Sequence, residues 1–264
     1  MDIRHPLDDR LPGMLRSGRT LRAIFNSLPS PAIVEMCAYA GFDFILIDNE
    51  HGSAGLDTTE HMLRAARASG IPAVVRCMRH DIARILDMGA SGVQIPMVQS
   101  AAEAADLVQQ VRYPGAGRRG SAFSPRAAGY GAFPGAEHTR RSNEGVALIV
   151  MIETAEAAAE AAEIAAVPGV DAVFVGPNDL SHSMGFGSDW KAPEVDRVIL
   201  QALQDIAGAG TCAGIIGMNA QDEAHYGPHG ARFFATVASS LITRALKEAA
   251  QPGPGSPKSA SATY

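Results

Sequence analysis

Lysine is nearly absent from this chain. Lys191, Lys247 and Lys258 are the only three, and none lies in a run of strand character. Chemistry through a Schiff base needs a lysine amine desolvated inside the fold, so that route lacks its nucleophile. Cysteine is as sparse. Cys37, Cys77 and Cys212 stand far apart, with no Cys-x-x-Cys and no paired framework, and they read as three buried thiols in a reducing cytoplasm. No apolar run reaches the roughly 18 residues of a membrane span. Met1 to Pro6 lack the apolar core of a signal peptide. Positive charge is not in excess: the net charge of −6 and pI of 5.7 argue against a nucleic-acid partner, which needs a basic face. No Gly-x-Gly-x-x-Gly follows the first strand-like run, which argues against a doubly wound dinucleotide fold.

What is present is a repeated alternation. Apolar runs of strand length begin near Leu21–Ile24, Phe44–Ile47, Ala73–Val75, Gly92–Ile95, Leu148–Ile152, Ala172–Val175, Thr211–Ile215 and Phe233–Val237. Most are continuous rather than alternating, as suits strands of a parallel sheet buried on both faces. Helical patterns lie between them. Ser100 with Glu103 has the spacing of a capping box, Thr154 can cap a helix from Ala155 to Ile164, and Asn219 can cap the segment through Ala224. Gly70, Gly89, Gly169, Gly210 and Gly230 fall between a helical pattern and the next strand, where a left-handed cap favours a residue without Cβ. Eight such repeats in 264 residues predict one (β/α)8 TIM barrel over 1–250. The stretch from Tyr113 to Asn143, rich in Gly, Arg, Ser and Pro, reads as one long loop, either an active-site cover or a subunit contact. The Pro/Gly/Ser/Ala-rich tail, 251–264, is expected to be disordered.

Barrel enzymes build their sites at the C-terminal ends of the strands. Asp48, Glu50 and His51 stand together at one such end, Arg76 at a second, Glu153 at a third, and Asp179 in the turn Gly176-Pro177-Asn178-Asp179 at a fourth. Glu153 and Asp179 could converge on a hard divalent cation, which often takes only one or two carboxylates. The plainer alternative is that they cap helices or pair with arginine. His51 could act as a general base with Asp48 fixing its tautomer, or could simply bond the backbone. Arg76 could hold a carboxylate or an oxyanion, or sit in an internal ion pair. Main-chain N–H groups near Gly176, with Gly120-Ser121-Ala122, could bind a carboxylate. Together these charges point to a metal-dependent lyase acting on a small anionic substrate.

The same residues resemble the HpcH/HpaI aldolase family, the metal-dependent class II pyruvate aldolases of the phosphoenolpyruvate/pyruvate barrel superfamily. The matching stretches are Gly41–Phe44 through Asp48-x-Glu50-His51, Pro72–Arg76, Gly92–Val98, Arg112-Tyr113-Pro114 through Gly120, Ile152-Glu153-Thr154 and Val175–Leu180, in order between about Leu21 and Leu246. The resemblance implies that Glu153 and Asp179 bind Mg²⁺, Mn²⁺ or Co²⁺, which chelates pyruvate. It implies that Arg76 stabilises the enolate, and that His51 with Asp48 moves the proton of the aldol hydroxyl. Gly176, Pro177, Asn178 and Asp179, with Ser121 and Ala122, would surround the substrate carboxylate, and Glu50 would support metal-bound water or a subunit contact. Met151 takes a substrate-side position where the family often has Gln, and Asn49 one where it often has Gly. The expected reaction is reversible cleavage of a 4-hydroxy-2-oxo acid to pyruvate and an aldehyde. The expected assembly is a hexamer, a trimer of dimers exchanging C-terminal helices. Oxaloacetate decarboxylation, or other pyruvate-enolate chemistry in the same site, and a non-catalytic ligand-binding barrel are the alternatives.

Overall fold

The computed structural model describes residues 5–251; the predicted tail falls outside the described residues from position 252 on. Eight parallel strands close into a barrel in sequence order. They are β1 Leu21–Asn26, β2 Phe44–Asp48, β3 Ala73–Arg76, β4 Gly92–Ile95, β5 Ala147–Ile152, β6 Ala172–Val175, β7 Cys212–Ile216 and β8 Ala231–Val237. Every strand seen in the sequence is present. The (β/α)8 TIM barrel is therefore the observed fold. Among the described residues no helix is long and apolar enough to cross a membrane.

Successive strand residues point to opposite faces, and this alternation sorts the apolar side chains into two cores. Leu21, Ala23 and Phe25 on β1, Phe44 and Leu46 on β2, Ala147, Ile149 and Met151 on β5, and Ala172 and Phe174 on β6 fill the barrel. Their neighbours, such as Ile24, Ile45, Ile47, Leu148 and Val150, pack outward against the helices. Phe174 and Phe233 meet inside the barrel at 5.3 Å between ring centroids. Gly214 makes their room, since a Cβ there would come within 2.5 Å of Phe233 and 2.8 Å of Phe174. The bottom is plugged by a short helix, Leu11–Leu15, whose Leu11 and Leu15 join the inner core.

The caps hold at Ser100, Thr154 and Asn219, whose side chains accept N–H groups of Glu103, Ala157, and Gln221 with Asp222. Three expectations need correction. Glu103 does not reach back to Ser100; it accepts the Gln99 N–H and an Arg79 guanidinium, and the charge-assisted bond wins. The helix from Ala155 breaks at Glu160 (φ −99°, ψ 17°) into Ala155–Ala159 and Ala161–Ala165. The stretch 113–143 is not one open loop, because it contains a 3-10 segment, Arg126–Gly131, and most of a helix, Ala136–Gly145.

That helix fastens the N-terminal segment. His5 is buried, its ring 4.7 Å from Phe133 and 5.6 Å from His138, with Nδ1 accepting the Leu7 N–H. Burial lowers its pKa to about 4, aided by Arg141, His138 and Arg67 and opposed by Asp9. The unfolded chain therefore binds the His5 proton more readily, so His5 costs stability as pH falls from 6.5 toward 4. Melting temperature should drop between pH 7 and pH 5, and less steeply in His5→Asn, which keeps an acceptor for Leu7 but cannot be charged. Equal pH slopes in the two proteins would refute this.

Candidate active site

On three strands the inward phase continues past its apolar residues into charge, and on a fourth into a glycine. Phe44 and Leu46 are followed two residues on by Asp48, Val74 by Arg76, Met151 by Glu153, and Phe174 by Gly176. The same period that builds the core thus aims these residues at the barrel mouth. Asp48 and Arg76 are direct partners in the β2–β3 register. Arg76 donates from Nε (2.9 Å) and Nη2 (2.6 Å) to the two oxygens of Asp48. Their side chains are 12% and 5% exposed, a nearly dry pair. Asp48 Oδ1 also accepts the main-chain N–H groups of Glu50 (3.1 Å) and His51 (3.2 Å). Burial alone would raise the Asp48 pKa, but the Arg76 fork and these two N–H groups hold it below the usual carboxylate range.

Asp48 therefore does not orient the imidazole of His51, as its position had suggested; it anchors the loop through the His51 main chain. The His51 ring is 66% exposed, and its Nε2 lies 3.9 Å from Glu50 Oε2. That same Glu50 oxygen is buried, has no hydrogen bond, and sits 3.3 Å from Arg76 Nε.

Glu153 is 3% exposed and accepts the Met97 N–H at 2.7 Å. Met97 reaches it from a left-handed backbone, φ 55°, a conformation that costs an L-residue of order 1–3 kcal/mol and collects at functional sites. The Glu153 pKa is raised to about 7, chiefly by burial and further by Asp179 and Glu50, against the Met97 N–H and Arg76. Asp179 lies in the first turn of the helix Pro177–Ser183, entered through Gly176. A Cβ on Gly176 would lie 2.8 Å from Glu153 Cγ and 3.0 Å from Oε1. Gly176→Ala should therefore push the carboxylate aside and weaken the binding of a divalent cation there at least tenfold with the fold retained. Unchanged metal affinity by calorimetry would show that this contact does not matter.

These residues border one cavity of about 550 Å³. Asp48, His51, Arg76, Glu153 and Asp179 all line it, as do Met151 and the turn Gly176-Pro177-Asn178. Glu50 stands just behind, and Ser121 and Ala122 are not on the wall. Phe25, Ser27, Phe174, Ile216, Val237 and Trp190, none of them assigned to the site from the sequence, complete it. Phe25 could have been found by extending the period of Leu21 and Ala23; Trp190, on a distant connection, carries no local signal. A cavity of about 660 Å³ at the other end of the barrel holds Arg10 and Arg19, but each is paired, with Asp8 and Asp43.

The donor set fits a divalent cation. Asp179 and Glu50 add negative charge around the buried Glu153 carboxyl, whose pKa is raised first by burial and further by that charge. The one guanidinium there is engaged by Asp48. Among the described residues no group of three or more His, Cys, Asp and Glu converges, so protein ligands would be two carboxylates, with water and substrate completing an oxygen shell.

A profile described as HpcH/HpaI aldolase/citrate lyase matches residues 22–242. The chain belongs to this family. A hydroxypyruvate/pyruvate aldolase of Pseudomonas aeruginosa is 37% identical, covering 97% of this chain and 98% of its own. A 4-hydroxy-2-oxo-heptane-1,7-dioate aldolase of Shigella sonnei is 36% identical over 91% of this chain and 93% of its own. A crystal structure of a family protein from Burkholderia cenocepacia superposes with TM-score 0.86 at 33% identity, covering 91% of this chain and 97% of that one. The family member described here is a carbon–carbon lyase of the aldolase type.

Proposed function

We propose that this aldolase reversibly cleaves a 4-hydroxy-2-oxo acid to pyruvate and an aldehyde, with Mg²⁺, Mn²⁺ or Co²⁺ held by Glu153 and Asp179. The observation that carries this is the raised, acid-surrounded carboxyl of Glu153 beside Gly176 and Arg76 in the barrel-mouth cavity. A bound divalent ion supplies Lewis-acid polarisation of the 2-oxo group. Cleavage leaves negative charge on the enolate oxygen of pyruvate. Asp48 occupies Nε and Nη2 of Arg76, and Nη1 has no hydrogen-bond partner among the described residues, so Nη1 is the donor left for that oxygen. His51, exposed at the mouth, takes the proton of the aldol hydroxyl. Asp48 is a positioning residue for both, through the Arg76 fork and the His51 main chain.

The test is pyruvate release from a panel of 4-hydroxy-2-oxo acids, with EDTA and then with each metal restored. Metal-restored pyruvate supports the proposal. Carbon dioxide from oxaloacetate, with no pyruvate and aldehyde from any panel member, replaces it with decarboxylation.

The partners we propose are a 2-oxo acid, an aldehyde and further copies of the chain, in the cytoplasm. Support for self-assembly comes from the last helix, Ala238–Ala249, where only Ala238 is buried and Leu246 is 64% exposed. Seating this helix on another barrel would cover that face. Leu246→Glu should shift the assembly to smaller species in sedimentation velocity; an unaltered profile would place the interface elsewhere.

A further inference from the structure

The cavity is divided by charge, and the barrel order makes the division spatial. Its ionic residues stand on or just past β2, β3, β5 and β6, which also bring Met151 and Phe174, whereas β7, β8 and β1, which are contiguous across the closure, contribute Ile216, Val237 and Phe25, with the uncharged Ser27 just past β1. The connection between the helices Pro177–Ser183 and Pro193–Gly208, on the path from β6 to β7, adds Trp190, the only tryptophan in the chain. Trp190 is half-buried and packs against the outer core. The cation beside it is diverted: Lys191 Nζ lies 5.0 Å from the indole centroid and 3.3 Å from Asp222 Oδ1, and Lys191 does not line the cavity. Among the described residues Arg76 and His51 are the only lining residues that can be cationic, and both stand on the ionic side.

With the oxo acid held on the ionic side, the other product of cleavage meets the apolar arc. A second carboxylate on it would find no counter-charge there. We propose that Trp190 is a specificity-determining residue that selects an uncharged aldehyde with an apolar body and disfavours a carboxylated one. This rests on the aldolase reading above. In the addition direction C3 of the pyruvate enolate bonds to the aldehyde carbon, the carbonyl π pair moves to the aldehyde oxygen, and that oxygen takes a proton. The chain beyond the aldehyde carbon lies on the wall that Trp190 completes. Each methylene laid on such a wall is worth about fourfold in affinity.

The experiment uses the full chain loaded with Mn²⁺. Exchange of the pyruvate methyl protons for deuterium, with no aldehyde present, reports enolate formation alone. Aldol addition is then measured with propanal, butanal, pentanal and succinic semialdehyde. The expected result is exchange, a rise in kcat/KM of about fourfold per methylene, and succinic semialdehyde at least tenfold below butanal. In Trp190→Leu, which keeps an apolar side chain against the core, the pentanal-to-propanal ratio should fall several-fold. The wild-type indole emission should shift when pentanal is added to the pyruvate-bound protein. Exchange with a flat aldehyde series, with preference for succinic semialdehyde, or with an unaltered ratio in Trp190→Leu overturns this inference and leaves the aldolase standing. Absence of exchange overturns the aldolase reading itself.

Discussion

Replacing Arg76 with alanine should lower kcat for pyruvate release by about 10²–10³, the usual cost of removing one donor aimed at a developing oxyanion. It should also lower the melting temperature. The guanidinium is the main counter-charge to Asp48, whose carboxylate is almost fully buried. Removing one partner of such a pair typically costs about 3–5 kcal/mol, because the other charge is left without compensation. The two effects separate in Arg76→Lys. Lysine keeps a positive charge near Asp48 and restores part of the stability. It cannot grip Asp48 at two points while offering a third nitrogen to substrate, so kcat should stay low. Pyruvate release and calorimetry on both variants settle the matter. A folded Arg76→Ala within tenfold of wild-type kcat would remove Arg76 from the chemistry.

That coupling was only half visible in the sequence. The strands could be read because parallel strands buried on both faces are continuous apolar runs, bounded here by glycine caps and by Ser100, Thr154 and Asn219. The charged part of the cavity wall could be read because Asp48, Arg76 and Glu153 interrupt those runs with charge at one end. The pairing could not be read. Nothing local tells Asp48 that its register partner is Arg76, and so its carboxylate was assigned to the imidazole of His51 instead of to the guanidinium and the loop main chain. Apolar cavity residues were missed for a related reason. Phe25, Ile216 and Val237 look like any core residue until the barrel closes, and Trp190 arrives from a connection with no periodicity. The inner plug of Leu11 and Leu15 is likewise too short a pattern to declare itself. Ser121 and Ala122 sit in a stretch whose path depends on tertiary contacts, and in the single chain they stay off the cavity wall.

Glu153→Gln should make the metal-free protein more stable above pH 7 while abolishing its response to metal. The folded-state pKa of about 7 lies above the ordinary 4.5, so the folded chain holds this proton more tightly than the unfolded chain. The stability that follows is fully present below pH 4.5 and is lost as pH rises through 7. At about 1.36 kcal/mol per unit the loss is about 3 kcal/mol. Glutamine cannot ionise, and its side-chain oxygen can still accept the Met97 N–H, so the variant avoids that loss. The wild type regains the ground when metal binds, about 2.7 kcal/mol at a hundred times Kd. At pH 8 the metal-free variant should therefore melt above the metal-free wild type, and saturating Mn²⁺ should raise only the wild type. A variant that melts lower at pH 8, or that gains as much from Mn²⁺, would show that Glu153 is not the metal ligand proposed. The same proton competes with the cation for one carboxyl, so wild-type metal affinity should fall toward tenfold per pH unit below 7 and level off above it. Burial and neighbouring acids thus destabilise the empty site by the same charge that a cation would neutralise, which ties the cost in fold stability to the chemistry at the barrel mouth.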